Sequence, residues 1–558
     1  MTTKLEDLIH KRISRRSALK GLAYFTAGAI LPGAFFKKGF ARTEEAAAAG
    51  KTSSGVFFEP IPPSSADEFI LAEGFDYKII RQWGDNISDS DIFGYNNDYV
   101  DYIPIDFLQG GNNSEDGILF VNNEYTHPVF VSGYDHDDYK AKKPKTIEQI
   151  VAEKKSVGVS IFRVKKGADG WEFVNDGFYN NRIDATVPVI LSGKAAGTPE
   201  MHNSFEAIGT LANCSGGRTP WGTFLSGEEN FQDCMPGGWY RWDGHNGHNE
   251  ELIPEHYGWV LEVDPFDKSK PGKKRTSLGR FRHENVAIGI AKDGRVAAYM
   301  GDDKSNECVY KFISASKYDP GNRESNMDIL DDGDLYVADF ENNKWQLLDF
   351  SKREELKRDF KSQADVLINC DKSSKLVGGT ECNRPEDIEI HPIDGSVYIA
   401  FTNNSKKKDY HGSIVRIIES NDDHASETFS WEVFATGSVE SGFSCPDNLC
   451  FDSKGNLWVL SDMSGSKMNK GDYEPFKNNS LFFIPTAGEN KGKAFRFASA
   501  PTDAELCGGN FTPDEKTMFV SVQHPGEQTD YIDTPTSRWP NGGIDIPRPA
   551  VLAITGFK

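Results

Sequence analysis

Cysteine is scarce in this chain: eight residues, at positions 214, 234, 308, 370, 382, 445, 450 and 507, in a length of 558. That is too few to scaffold the chain with disulfides, and none stands in a Cys-x-x-Cys pair, so zinc ribbons and thioredoxin-like motifs are absent. Pairing of Cys445 with Cys450, or of Cys370 with Cys382, is conceivable in an oxidising compartment, but spacing does not decide connectivity. Long apolar runs are also missing. The most apolar stretch, Gly21 to Phe36, has 16 uncharged residues, short for a membrane span. Basic charge is in the minority, 62 Lys and Arg against 84 Asp and Glu, for a formal net charge of −22. No basic stripe interrupts it, which argues against a nucleic-acid partner. Helical periodicity is sparse beyond residue 60. There is no Gly-x-Ser-x-Gly elbow, since Pro446 breaks the nearest approach at Gly442-Phe443-Ser444-Cys445-Pro446, and neither a His-Glu-x-x-His pair nor a phosphate-binding P-loop occurs.

Aromatics, by contrast, are plentiful. Thirty-seven Phe, 19 Tyr and 10 Trp supply the surface of a packed core and exclude a disordered chain. Residues 1–45 read as a targeting segment: Ser14-Arg15-Arg16-Ser17-Ala18-Leu19-Lys20, the apolar run, Lys37-Lys38, then small residues from Ala46 to Gly50. The Arg15-Arg16 pair resembles a twin-arginine export signal, although Ala18 stands where that pattern usually has Phe. An ordinary secretory signal or a short anchor is the alternative. Twin-arginine export carries folded proteins, which suits one that takes up its cofactor before export, so the translocation machinery is an expected partner and the periplasm or the outside an expected destination. The first 50 residues hold nine basic and four acidic side chains, leaving −27 on the remainder. Residues 46–558 are expected to form a single catalytic domain.

Within that remainder one phrase recurs: a polar or acidic site, a turn, and an alternating apolar strand that ends on a second polar site. Clear copies run from His283-Glu284-Asn285 through Asp293-Gly294 to Asp302, and from Arg384-Pro385-Glu386-Asp387 through Asp394-Gly395 to Ala400. Two more run from Cys445-Pro446-Asp447-Asn448 to Asp462 and from Gly509-Asn510-Phe511 to His524, with weaker copies at Asp116–Glu124 and Trp221–Glu229. Each reads as a β-hairpin whose Asp-Gly or Lys-Gly turn supplies positive φ. The strand ends at Ala400, Asp462 and His524 fall 62 residues apart, a period suited to a four-stranded propeller blade with its loops. The expected fold is all-β, a six-bladed β-propeller with inserted loops and short helices. A barrel or sandwich would explain the alternation but not the spacing.

In a propeller, equivalent positions converge on one axis. Here they hold Glu124, Glu206, Glu284, Glu386 and Asp447, which predicts a ring of carboxylates. Such a ring repels itself when buried, and multivalent cations with hard oxygen ligands are the usual remedy. The bland alternative is that each acid caps a turn at its own blade edge, the reading adopted for Asp293 and Asp394.

Several blocks resemble the PhoX-type alkaline phosphatases: Asn213-Cys214-Ser215-Gly216-Gly217-Arg218-Thr219-Pro220-Trp221-Gly222-Thr223, Ser226 to Asn230, Met300 to Asp303, Tyr310-Lys311-Phe312, Asn383 to Asp387, and Gln523 to Glu527. The resemblance spans nearly the whole exported region. It implies an axial cluster of two Fe3+ and two or three Ca2+ ions with a bridging oxo group, held by a cysteine thiolate and carboxylates, that hydrolyses phosphate monoesters for phosphate scavenging. It implies Cys214, Glu284, Asp303 and Glu386 as metal ligands, Glu124, Glu229 and Asp387 as further ligands, Arg384 as the catalytic and substrate-binding arginine, and Asn123 as a second substrate contact. A monomer is expected. Other readings stay open: Cys214 as a buried small hydrophobe, Arg384 as a structural partner of Glu386 or Asp387, His524 as either support for a ligand or a structural residue. His202 and His283 read as structural.

The chemistry also follows from charge. A phosphate monoester dianion is repelled by an acid-lined mouth unless bound cations reverse the local sign. Metals would then act as Lewis acids while Arg384 clamps the developing charge. Two rival readings are a calcium-dependent propeller lactonase or phosphotriesterase, which needs no thiolate, and a non-catalytic binding propeller. The serine-nucleophile phosphatase fold needs an α/β alternation that this chain lacks.

Overall fold

The computed structural model describes residues 4–9, 11, 55–242 and 252–558. The Arg15-Arg16 pair, the apolar run behind it and the small-residue stretch at 46–50 lie outside the described residues.

Six sheets form the blades of a propeller, antiparallel except where Lys273–Arg275 runs parallel to Pro188–Ser192 in the second. The first runs Asn97–Pro104, Asp116–Asn123, Gly158–Gly167, Gly170–Val174. The innermost strands of the other five are Asn213–Arg218, Ala287–Ile290, Pro385–Ile390, Pro446–Phe451 and Glu505–Phe511. Each innermost strand touches the next around the ring, and the last touches the first. Two strands from the start of the described body close the circle. Ile70–Leu71 adds to the fifth blade beside Phe495–Ser499, and Asp76–Gln82 pairs antiparallel with Ala550–Thr555 in the sixth.

The second strand of each blade is covered on both faces by its neighbours. Asp116–Asn123 and Thr517–Gln523 are accordingly buried along their whole length, and polar–apolar alternation fades there. Aromatic pairs fill the wedges between blades: Phe120 stacks on Phe224 at 4.8 Å, Tyr102 on Phe519 at 5.5 Å, and Tyr398 meets Phe451 edge-on at 5.2 Å. Gly294, at φ +91°, makes the tight turn that the Asp-Gly reading required.

All eight cysteines are free, which corrects both conceivable disulfides. The extended strand Pro446–Phe451 separates Cys445 from Cys450 by roughly 16 Å at about 3.3 Å per residue, far beyond disulfide reach. Cys370 opens the helix Cys370–Leu376, where its thiol donates to the Leu367 carbonyl at 3.1 Å, while Cys382 lies buried in a short strand.

Two insertions rise beside the axis. One, between the second and third strands of the first blade, contains helices Pro128–Val131, His136–Lys140 and Ile147–Ser156. The other, from the second blade, contains the turns Phe231–Cys234 and Pro254–His256.

Candidate metal centre

Four blades enter their innermost strand through the same local device. A residue in the left-handed region comes first: Asn96 (φ 53°), Ala212 (51°), Arg384 (52°) and Cys445 (50°). Non-glycine residues seldom adopt this conformation, and here a repeated hydrogen bond holds it. The carbonyl of each accepts from the backbone N–H just beyond the second strand, at Glu124 (3.0 Å), Glu229 (2.9 Å), Thr402 (3.2 Å) and Asp462 (3.0 Å). After one ladder pair (Asn97 with Asn123, Asn213 with Glu228, Pro385 with Phe401, Pro446 with Ser461) the register slips. Such a bulge re-aims a side chain, and here it delivers Asp98, Cys214, Glu386 and Asp447 to one cavity. The third blade delivers Glu284 just after the His283–Asp302 bridge. The sixth differs: Glu505 stands at the ladder pair with Gln523, and its slip comes later, between Gly508 and Asn510.

A second tier comes from the residues that follow the second strands: Glu124, Glu229, Asp303, Asp462 and His524. Both tiers line one cavity of about 690 Å³.

The contacts are those of an acid cluster short of cations. Cys214 Sγ lies 3.1 Å from Glu284 Oε2 and 3.4 Å from Asp98 Oδ2. Three groups have donor atoms mutually within 4.8 Å: Asp98–Glu124–Cys214, Cys214–Glu229–Glu284 and Glu284–Glu386–Asp447. Cys214 belongs to two of them and Glu284 to two, so the groups form a chain rather than separate sites. Arg384 is the guanidinium inside it. Its Nε and Nη2 donate to Asp303 Oδ1 and Oδ2, both at 2.9 Å, and Nη2 also lies 2.8 Å from Glu386 Oε1. Gln523 Nε2 donates to Asp98 Oδ2 (2.8 Å) and Glu124 Oε2 (2.7 Å), and Thr402 Oγ1 donates to Glu386 (2.8 Å).

Protonation follows from this arrangement. Burial, then the carboxylates of Glu229 and Asp98, push the Glu124 carboxyl well above its ordinary range; burial and Asp447 do the same to Glu284, and burial raises Glu386 against the opposing pull of Arg384. Burial pushes Asp98 up to about 7, and burial with the adjacent acids raises the Cys214 thiol. Asp303 goes the other way, because the Arg384 guanidinium outweighs its burial and lowers it.

The site also leaves buried polar atoms without a hydrogen bond: Asp98 Oδ1, Glu229 Oε1, Asn96 Oδ1, Thr126 Oγ1 and the Tyr95 hydroxyl all belong to cavity-lining residues. Orphaned buried acceptors beside a thiol and many acids are a donor set that multivalent cations satisfy, oxygen for hard ions and sulfur for a softer one. The residues present therefore fit a mixed metal cluster.

Of the residues expected from sequence, Cys214, Glu284, Asp303, Glu386, Glu124, Glu229 and Arg384 meet at this cavity. Asp387, Asn123 and Glu206 do not line it. Asp387 accepts from the backbone N–H of Leu449 in the next blade (2.9 Å) and of Ile388 (2.8 Å). It shares this duty with Asn285, which brackets Ile388 of the following blade through N (3.1 Å) and O (2.7 Å), and with Asn448, which accepts from Gly508 N (2.7 Å). The paired polar residues Glu284-Asn285, Glu386-Asp387 and Asp447-Asn448 thus divide the work: the first faces the cavity and the second staples the neighbouring blade. Asn123 is buried outside the cavity lining, its Oδ1 taken by Ser160 at 2.6 Å and by Arg182. Glu206 is an exposed residue of the strand Glu206–Ile208 at the outer edge of the second blade, and Cys214 occupies the place expected for it.

His283 is buried, donates from Nε2 to Gly279 O (2.8 Å) and stacks on Phe281 at 3.7 Å, while exposed His202 faces Glu255 at 3.4 Å; neither lines the cavity. His524 does line it, 3.5 Å from Glu505. Asp98, Asp462, Glu505 and Gln523 join the site without having been singled out as ligands. Asp462 and Gln523 end strands of the recognised repeat, so their position was a usable signal. Asp98 lies upstream of the weakest copy, and Glu505 is offset by the late slip of its blade.

The family described as alkaline phosphatase PhoX matches residues 56–526. Among solved structures, Pseudomonas fluorescens PhoX in complex with vanadate, a transition state analogue, is 31% identical and superposes with a TM-score of 0.78, covering 89% of this chain and 97% of that one. A Xanthomonas campestris gluconolactonase is 8% identical with a TM-score of 0.35, over 88% of this chain and 97% of that one. Comparison with curated proteins gives no match.

Proposed function

The chain belongs to the PhoX family of metal-dependent alkaline phosphatases, which hydrolyse phosphate monoesters, and from that premise we propose that the acid and thiol chain on the propeller axis is the catalytic centre. The observation that carries the reading is the sharing of Cys214 and Glu284 between adjacent three-residue groups. In this reading Asp98, Glu124, Cys214, Glu229, Glu284, Glu386 and Asp447 hold a cluster of two Fe3+ and two or three Ca2+ ions with a bridging oxo group. When bound, the ions supply Lewis acidity toward the phosphoryl oxygens and outweigh the surrounding acids.

The remaining work falls to protein groups. Arg384 binds the substrate phosphate: Asp303 fixes the guanidinium through Nε and Nη2, and Nη1 makes no other hydrogen bond among the described residues, which leaves it for a substrate oxygen. Its left-handed backbone, pinned by Thr402 N, fixes where the side chain leaves the strand. Gln523 holds Asp98 and Glu124 in register through its one amide nitrogen. Most carboxylates of the two tiers are buried, so the field of any bound cation is weakly screened.

The twin-arginine reading of residues 1–45 places this chemistry outside the cytoplasm, and a phosphomonoesterase there serves phosphate scavenging by releasing phosphate from esters. The test is elemental analysis of protein purified without chelator, with hydrolysis of a chromogenic phosphate monoester. Iron at about two per chain together with calcium supports the reading; calcium alone, or full activity with no metal, refutes it.

A further inference from the structure

The cavity is far larger than a phosphate group needs, and the part away from the acids has a different character. The two insertions that rise beside the axis line it with Tyr134, Tyr139, Trp239 and Tyr240, and Tyr95 joins them from the first blade. The rings of Tyr139 and Trp239 lie 4.6 Å apart, and Arg241 props the pair, its guanidinium 4.2 Å over the Tyr139 ring and its Nη1 donating to the Tyr139 carbonyl at 3.1 Å. Trp239 remains 55% exposed, although folding usually buries so large an apolar surface. The Tyr95 hydroxyl is buried at the same cavity without a hydrogen-bond partner.

Charge in this outer part is one-sided. The rim carries Asp135, Glu527 and Asp530. The nearby basic side chains are already engaged: Lys145 Nζ donates to Glu153 at 2.6 Å and to the Tyr240 carbonyl at 2.8 Å, and His136 lies 3.1 Å from Asp530. His127 also lines the cavity with its Nδ1 unpartnered, but burial lowers it to about 4 and keeps it neutral, so among the described residues lining the outer cavity no free cation is left to receive a second anion.

We propose that the Tyr139–Trp239 pair binds the alcohol portion of the substrate, so that the enzyme selects monoesters of flat, apolar alcohols and discriminates against esters whose alcohol carries its own negative charge. This rests on the phosphatase reading of the same cavity. Burial of a substrate ring against this aromatic pair gives a preference of about tenfold. Repulsion at an acidic rim lacking a free cation gives a comparable bias against a carboxylate.

The test compares esters matched in leaving-group chemistry. With metal-replete full-length protein, kcat/KM for benzyl phosphate is expected to exceed that for ethyl phosphate about tenfold. Trp239→Ala and Tyr139→Ala should bring that ratio toward one by lowering kcat/KM for benzyl phosphate more than for ethyl phosphate, and Trp239→Phe should keep most of the preference. Glycerol 3-phosphate should be preferred over 3-phosphoglycerate, with the gap narrowing in the Glu527→Gln, Asp530→Asn double variant. A wild-type ratio near one for the benzyl and ethyl esters, or variants that depress both esters equally, overturns the assignment. Wild-type protein that hydrolyses neither ester overturns the phosphatase reading as well, so the two failures are told apart.

Discussion

The thiol of Cys214 lies 3.1 Å from the carboxylate of Glu284, although the two belong to neighbouring blades and stand 70 residues apart in the chain. Asn122 anchors the turn that makes this possible, its Nδ2 donating to the carbonyls of Cys214 (2.7 Å) and Ser215 (3.0 Å). The proposed role of Cys214 as a metal ligand rests on this pairing, since a thiol that only fills space needs no acidic neighbours.

Cys214→Ser should therefore lose metal before it loses fold. Serine is nearly isosteric but gives up the soft donor, so iron content measured by elemental analysis is expected to fall sharply while far-ultraviolet circular dichroism is preserved. Hydrolysis of a chromogenic monoester should drop at least 10²-fold, the scale of removing one electrostatic contact from a transition state. Retention of full iron would refute the role.

Arg384→Ala should lower kcat/KM by about 10²- to 10³-fold, and Arg384→Lys should recover little of it. Lysine cannot span both Asp303 oxygens as Nε and Nη2 do. Steady-state kinetics on the metal-loaded variants decide the matter; a lysine variant close to wild type would show that point charge suffices.

Asp387→Ala should uncouple stability from metal binding. It leaves the Leu449 amide without its acceptor, at a cost of about 1 to 3 kcal/mol, while Ile388 N–H keeps its bond to Asn285, and it touches no cavity-lining donor. Glu386→Gln, one residue away, should do the reverse and reduce metal content with a smaller change in melting temperature. Parallel melts and elemental analysis separate the two.

Removal of the metals should make stability depend on pH. Burial raises the folded-state Asp98 carboxyl to about 7, against an unfolded value near 3.8. The metal-free folded chain then binds more protons than the unfolded one between those values, so its stability is greatest below about pH 4 from this group and declines as pH rises toward 7. Glu124, Glu284 and Glu386, also raised by burial, act in the same direction. Chelated protein is expected to melt lower at pH 8 than at pH 5.5, and reloading with metal should abolish the difference. A chelated melting temperature that is flat or rises over that interval would contradict the cluster electrostatics.

The sequence by itself determined the repeating hairpin, because Asp-Gly turns and apolar alternation are local, and the number of blades, because six copies of the phrase can be counted. It also determined which acids recur, and so Glu284, Glu386 and Asp447 were legible from their phrase alone, whereas Arg384 was reached through the family resemblance. Only the tertiary structure decided which member of each polar pair faces the cavity. That choice is made by a one-residue slip in the ladder, which local sequence does not encode: Glu386 and Asp387 are chemically alike, and the bulge sends one to the cavity and the other to the next blade. For the same reason Asp98 and Glu505 became visible only when six separate strands were closed into one ring.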